Sequence, residues 1–202
     1  MLRTRRDTRL LRDRIEPGVR VLFVGINPGI RSAETGHHFA GYSNRFWKLL
    51  HESRLVPEPI TFKDDDRLPE FGYGITNIVA RPTPGMSDLR PEEYQAGARV
   101  LMTKIARFQP EFVALVGVTV YRALLASLGD PQAAKRAIQL GAQKPPVPFP
   151  ARIFVLPNPS GRNANFTHAE MLAAFKSLRR ALTRSVRGSS KPPRLPVQNP
   201  GF

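Results

Sequence analysis

The 202 residues suffice for one domain with a sizeable core plus tails, and the lack of cysteine excludes a disulfide framework and any Cys-based zinc site. A formal net charge of +15 and a pI near 11.2 point to a polyanionic partner, nucleic acid before membrane. No segment approaches the roughly 18 apolar residues of a membrane span and no signal-peptide core follows the basic N-terminus, so a cytoplasmic location is expected.

The charge gathers at both ends. Residues 1–14 hold six Arg against Asp7 and Asp13 and read as a basic N-terminal arm. Residues 179–202 hold Arg179, Arg180, Arg184, Arg187, Lys191 and Arg194 with no acid. From Val186 on, Gly, Ser, Pro and Arg dominate and helical periodicity stops, so 186–202 is expected to be a disordered basic tail. That leaves 15–185 as the folded domain. Such arms add salt-dependent, sequence-independent affinity for phosphates.

In chain order, Val19, Val21, Leu22, Phe23 and Val24 form a short apolar run of the kind a doubly covered strand needs. It ends in Gly25-Ile26-Asn27-Pro28-Gly29, a sharp turn, and a long loop is expected up to Ser43. Ser43 to Ser53 has an apolar face of Phe46, Leu49 and Leu50 and a cap in Ser43 or Asn44. Asp64, Asp65 and Asp66 read as an exposed polar loop, as do His37 and His38. Tyr73–Val79 is a strand candidate leading into the irregular loop Arg81–Asp88. Pro91 to Phe108 is a helix, with Pro at its first position and Glu92 and Glu93 at the positive end of its dipole. Phe112–Gly117 is a second buried strand and Val120–Leu128 a short helix. Residues 130–150 read as an extended connection. Arg152–Leu156 is the next strand. It runs into Pro157-Asn158-Pro159-Ser160-Gly161-Arg162, and Thr167 with Glu170 caps a last helix. Strands alternating with helices indicate a parallel sheet covered on both faces.

Two strand ends each set an Asn beside a Pro. Pro28 pushes Asn27 out of helical geometry and holds it rigidly at the carboxyl end of a strand, where open α/β sheets bind ligands. A carboxamide is no nucleophile, but it both donates and accepts. It can orient a water or read the edge of a base. A dinucleotide-binding protein would need G-x-G-x-x-G opening directly into a helix, and GINPG lacks that pattern. A non-catalytic basic DNA-binding protein would not need two rigid Asn-Pro turns.

GINPG (25–29), its spacing to SNRFWKLL (43–50), the RPT loop (81–83) and the late NPSG (158–161) resemble the mismatch-specific uracil/thymine-DNA glycosylases of the uracil-DNA glycosylase superfamily. The resemblance spans roughly residues 19–182. It implies a three-layer α/β/α sandwich around a mostly parallel four-stranded sheet. It implies a monomer in the nucleoid that excises uracil, and thymine or other damaged pyrimidines, especially opposite guanine. The substrate would be double-stranded DNA containing uracil or mismatches, with no metal or cofactor, in base-excision repair.

The resemblance also distributes roles. Asn27 would position the attacking water. Gly25, Ile26, Ser32, Phe39 and Asn158 would surround the extruded base, with Phe39 stacking on it and Ser32 near its C5 edge. Ser160, Gly161 and Arg162 would enter the duplex, Arg162 standing where bacterial members often have Leu. Asp88 has a counterpart in the thymine-type branch and is a candidate to assist the water; its alternative is a cap for the Pro91 helix. Arg81 is a candidate phosphate contact or a loop anchor. Asn27 is a poor general base, so catalysis would lean on fixed donors aimed at the leaving base.

Overall fold

The structure is a computed structural model that describes residues 10–144 and 148–189, with side chains described to residue 185. Five strands form one sheet: β1 (Val21–Gly25), β2 (Tyr73–Asn77), β3 (Phe112–Val116), β4 (Gly141–Gln143) and β5 (Arg152–Leu156), in the order β2-β1-β3-β5-β4. The first four in that order are parallel, and β4 runs antiparallel along β5. The expected four-stranded sheet is therefore five-stranded. The fifth strand is three residues, Gly-Ala-Gln, with no apolar alternation. Its place comes from pairing with β5, not from local preference.

The alternation of the pleat sorts the core into two layers. Val21 and Phe23 face one side with Phe46, Leu50, Phe154, Phe175 and Leu178. Leu22 and Val24 face the other with Leu101, Ile105, Leu115, Leu124 and Val155. The first layer is covered by α2 (Phe46–Glu52) and α5 (His168–Ser189), the second by α3 (Pro91–Phe108) and α4 (Val118–Ser127). This is the expected three-layer α/β/α sandwich.

The helix ends follow sequence signals closely. Asn44 Oδ1 accepts from the Phe46 N–H at 2.9 Å. Thr167 and Glu170 form the capping box, 2.7 and 3.2 Å. Two expectations change. A helix, α1 (Ile30–Thr35), opens directly after Gly29 where a loop was expected. The α5 helix runs on through Ser189, past the expected start of disorder; residues 190–202 lie outside the described residues, as do 1–9. The end of the N-terminal arm is also part of the fold. Arg14 exchanges both backbone hydrogen bonds with Ile75, 3.0 and 2.8 Å, and Lys104 Nζ meets Asp13 Oδ2 at 2.6 Å.

The strand order fixes where a ligand can sit. From β1 the chain crosses to β2 on one side; from β3 it crosses to β5 on the other. The carboxyl ends of β1 and β3 therefore splay into a crevice, the switch point of an open α/β sheet. Gly25-Ile26-Asn27 and Gly117 lie on its two walls.

One glycine on α3 tests this packing. A Cβ on Gly97 would sit 1.8 Å from the Ile78 carbonyl oxygen, so α3 lies directly on the backbone after β2. Gly97→Ala gains up to about 1 kcal/mol of helix propensity. The overlap with backbone costs about 1–3 kcal/mol or more. The expected result is net destabilisation, read as a lower urea midpoint with an unchanged m value.

Candidate active site

Asn27 is held by its nitrogen. Nδ2 donates to Thr83 Oγ1 at 2.7 Å, to Pro28 O at 3.1 Å and to Arg81 O at 3.2 Å. Carbonyls only accept, so these contacts assign the amide. Thr83 passes its own proton to Gly85 O at 2.5 Å, which leaves its oxygen to accept. Asn27 Oδ1 receives no hydrogen bond from the described residues. The strand end thus offers an acceptor.

Asn158, after β5, is held the other way. Its Oδ1 accepts from Ser160 N–H at 3.0 Å and its backbone carbonyl accepts from Asn163 Nδ2 at 2.8 Å. The free end of this carboxamide is the donor, Nδ2. Gly117 brings the two walls together. It adopts φ +123°, and a Cβ there would lie 3.6 Å from Asn158 Cβ and 4.0 Å from Ile26 Cδ1. The loop after β5 and the Ile26-Asn27 turn after β1 therefore meet at Gly117, the turn carrying an acceptor of fixed polarity and the loop a donor.

Phe39 forms the next wall. Its φ of 51° is left-handed, unusual for an aromatic residue, and its ring stacks on Phe46 at 4.2 Å between centroids. Gly25 is glycine because a Cβ there would meet Asn77 Oδ1 at 2.5 Å and the Phe39 ring at 3.3 Å.

A buried carboxylate holds the strained loop. Asp65, 0% exposed, accepts from Arg14 Nε at 3.1 Å, His37 Nδ1 at 3.0 Å and the His38 N–H at 2.8 Å. Arg14 also reaches Gly36 O at 3.3 Å, and Trp47 Nε1 donates to His38 O at 3.1 Å. His38 is buried as well. Its Nε2 faces the Arg12 carbonyl at 3.0 Å and must carry the proton; its Nδ1 then accepts from Asn77 Nδ2 at 3.4 Å. The expectation of an exposed Asp triplet and exposed histidines is corrected for Asp65 and His38. Both are interior parts of the scaffold behind Phe39.

The loop after β5 is anchored from α2. Arg45 N–H donates to Pro159 O at 3.0 Å, and its Nη2 donates to Ser160 O at 3.2 Å. Gly161 packs on Ser43 so closely that a Cβ would lie 2.3 Å from Ser43 Oγ. Its missing side chain is thus used inside the protein. Arg162 is exposed and reaches across to the loop after β2, with Nη1 donating to Pro84 O at 3.2 Å.

Comparison with known proteins decides what this crevice belongs to. Residues 13–183 match the family model of the uracil DNA glycosylase superfamily. The chain belongs to that superfamily. It is a DNA glycosylase, a hydrolase that acts on DNA. The fold is similar to the solution NMR structure of a provisionally assigned uracil DNA glycosylase from Methanosarcina acetivorans. That similarity has a TM-score of 0.53 at 17% identity and covers 85% of this chain and 98% of the other.

In the glycosylase, Gly25 lies against the Phe39 ring, Ile26 and Asn158 meet at Gly117, and Asn27 is the next residue after Ile26. Ser32 does not line the crevice freely: it is buried, and its Oγ accepts from the Ala40 N–H at 3.1 Å, so it supports the Phe39 loop. Arg81 is an anchor. Its Nε and Nη2 clamp Glu93 at 2.7 and 2.8 Å, and Nη2 also donates to Asp88 O at 2.8 Å. That clamp, with the Arg90 N–H, holds the Glu93 carboxyl down at about 2. Asp88 is exposed, and its Oδ2 accepts from Gly85 N–H at 3.1 Å. It caps its own turn, while Glu93 accepts from Arg90 N–H at 2.9 Å and caps the start of α3. Thr83 and Asn77 escaped the sequence reading. Each is an ordinary polar residue whose partner lies far along the chain, 56 positions for Thr83 and 39 for Asn77.

Burial pushes the His38 imidazole below its ordinary value of 6.5, against the raising effects of the Arg12 carbonyl and the Asp65 and Asp13 charges. The unfolded chain therefore binds a proton near 6.5 that the folded chain refuses. Stability should be full above that value and fall as pH drops through it, by up to about 1.4 kcal/mol per pH unit for one proton. Urea unfolding between about pH 8 and pH 5 measures the slope. His38→Gln should remove this component of it.

Proposed function

We propose that this glycosylase extrudes uracil from double-stranded DNA, foremost opposite guanine, and hydrolyses its N-glycosidic bond in base-excision repair. Thymine and other damaged pyrimidines opposite guanine are further candidate substrates of the same pocket. The observation that carries the reading is the opposed polarity of the two carboxamides.

Cleavage of the bond puts positive charge on the sugar and negative charge on the departing base. Asn158 Nδ2 is a donor suited to the oxygen of that base, where a fixed donor in a water-poor site is worth about 2.7–4 kcal/mol. Asn27 Oδ1 accepts a proton-bearing edge of water and aims its lone pair at the sugar. It takes no proton, so it orients and does not ionise. Phe39 offers a ring for the extruded base. Asp88 stands three hydrogen bonds from Asn27, through Thr83 and Gly85, a path that positions without relaying a proton; as the acid on that loop it is the candidate to take one directly from the water. Extrusion comes first, since the bond is out of reach inside a duplex.

Abasic-site formation on U·G, U·A, T·G and single-stranded uracil substrates tests the reaction. Asn27→Ala should lower the single-turnover rate by about a hundredfold or more, with some loss of stability because the bonds to Thr83, Pro28 and Arg81 go with it. Thr83→Val should lower it less, and Thr83→Ser should keep it, because only a hydroxyl can accept from Nδ2 while donating to Gly85. Asp88→Asn with an unchanged rate and pH profile would leave Asp88 as a cap alone.

Arg162 is proposed to fill the gap left by the extruded base. It gives up one exposed bond to Pro84 O, and its planar cation stacks on base faces. Arg162→Ala should slow cleavage of U·A more than of U·G, since a mismatch opens at lower cost. It should leave single-stranded uracil nearly unaffected, and Arg162→Leu should recover part of the duplex rate. Equal losses on every substrate would make Arg162 a phosphate contact instead.

A further inference from the structure

Four large apolar or aromatic side chains among the described residues stand well out into solvent: Leu10, Tyr42, Met86 and Val100. Single exposed apolar residues are ordinary. Two of these, however, belong to the two loops that meet at Arg162. Met86 lies two residues from Pro84, whose carbonyl takes the Arg162 guanidinium. Tyr42 precedes Ser43, the residue packed on Gly161.

Tyr42 also has an organised backing. It is 90% exposed, yet the Arg31 guanidinium carbon lies 3.7 Å from its ring centroid. Arg31 is itself fixed: Nε donates to Ala40 O at 2.7 Å, and the guanidinium lies 5.6 Å from the Phe62 ring. One face of the tyrosine ring therefore rests on an anchored cation. The other face is open to solvent, and the next residue, Ser43, packs on Gly161 of the loop after β5.

We infer that the Tyr42–Arg31 pair is a second stacking site, which takes an unpaired nucleobase adjacent to the extruded nucleotide in the same strand. The inference rests on the proposed entry of DNA at the loops that meet at Arg162. When a base leaves the stack, its neighbours lose a partner and expose a π-face. Arg162 fills the gap at the extruded base's own level, and an aromatic ring held open beside Ser43 takes the face of the neighbouring base that unpairs. Stacking of this kind tolerates any base, because each has a π-face, and it changes affinity by about five- to a hundredfold per base. The cation beneath adds attraction through the ring, and the +15 chain brings the strand to it. Tyr42 does no bond-breaking chemistry. It holds the opened strand while Asn27 and Asn158 act.

The experiment uses the full chain and a duplex with 2′-fluoro-2′-deoxyuridine opposite guanine, which binds but resists cleavage. The fluorescent base 2-aminopurine is placed on one side of the lesion, then on the other. Tyr42→Ala, Tyr42→Leu and Tyr42→Phe are compared with the parent chain. Tyr42 is exposed, so all should fold. With Tyr or Phe, the 2-aminopurine on one side should be quenched on binding. With Ala or Leu it should stay bright, and Kd should rise about tenfold. If Leu matches Phe in both readouts, the ring stacks on nothing and the inference is overturned. If Ala matches the parent chain, it is overturned as well. Both readouts are independent of cleavage. A parent chain that forms no abasic sites on uracil duplex would sink the proposed reaction, while the stacking site would still be decided by quenching and affinity.

Discussion

The site depends on one hydrogen bond, from Asn27 Nδ2 to Thr83 Oγ1. A carboxamide is nearly symmetric in shape, so nothing in its packing tells nitrogen from oxygen. Its neighbours must do so. Here two carbonyls and a hydroxyl whose own proton is committed to Gly85 O make the assignment. If the amide turned over, its oxygen would face two carbonyl oxygens and leave a donor in the crevice. That arrangement would lose the bonds of both N–H groups and gain electrostatic repulsion, at about 1 kcal/mol or more for each bond. The RPT loop is thus more than a connection between β2 and α3. It sets the sign of the polar group that the crevice presents, and the Arg81–Glu93 clamp fixes the loop to α3.

A second constraint lies behind Phe39. Removing a carboxylate from water is costly unless it is fully hydrogen-bonded. Asp65 meets that condition with three donors from two parts of the chain: Arg14 near the N-terminus, and His37 with the backbone of His38 in the loop before Phe39. The consequence is geometric. The segment 36–38 is pinned at successive points, so Phe39 is held in a left-handed conformation it would not choose alone. The basic N-terminal segment therefore contributes to the shape of the site as well as to charge.

These two constraints also explain what the sequence could and could not disclose. Strands β1, β3 and β5 were readable because burial on both faces demands unbroken apolar runs, and α3 because its Pro, Glu and apolar stripe act locally. Asn27 and Asn158 were readable because Pro and Gly fix the backbone around them. By contrast, β4 exists through pairing with β5, and α1 was hidden by the Pro-Gly turn that precedes it. Asp65 and His38 looked like solvated residues because their neighbours Asp64, Asp66 and His37 are polar. Their burial comes from contacts 26 to 51 residues away. Thr83 and Asn77 carry no local signal, since a threonine and an asparagine at strand ends and turns are commonplace. Their roles depend on the hydrogen-bonding direction of a distant partner.

The proposed reaction draws these threads together. An enzyme with a strong base at Asn27 could ionise water and attack many nucleotides. A carboxamide cannot, so it supplies orientation and a modest electrostatic gain. The barrier then rests on two other quantities: how readily the base leaves the duplex and how well it carries negative charge as it departs. Both favour a mispaired or damaged pyrimidine over a paired normal base. The first is acted on at the rim, where the loops around Gly161 and Pro84 meet at Arg162. The second is acted on by the donor of Asn158. On this account the weakness of Asn27 as a base is a source of selectivity. It places the decision in the extrusion step and in the leaving group, where a lesion differs most from intact DNA.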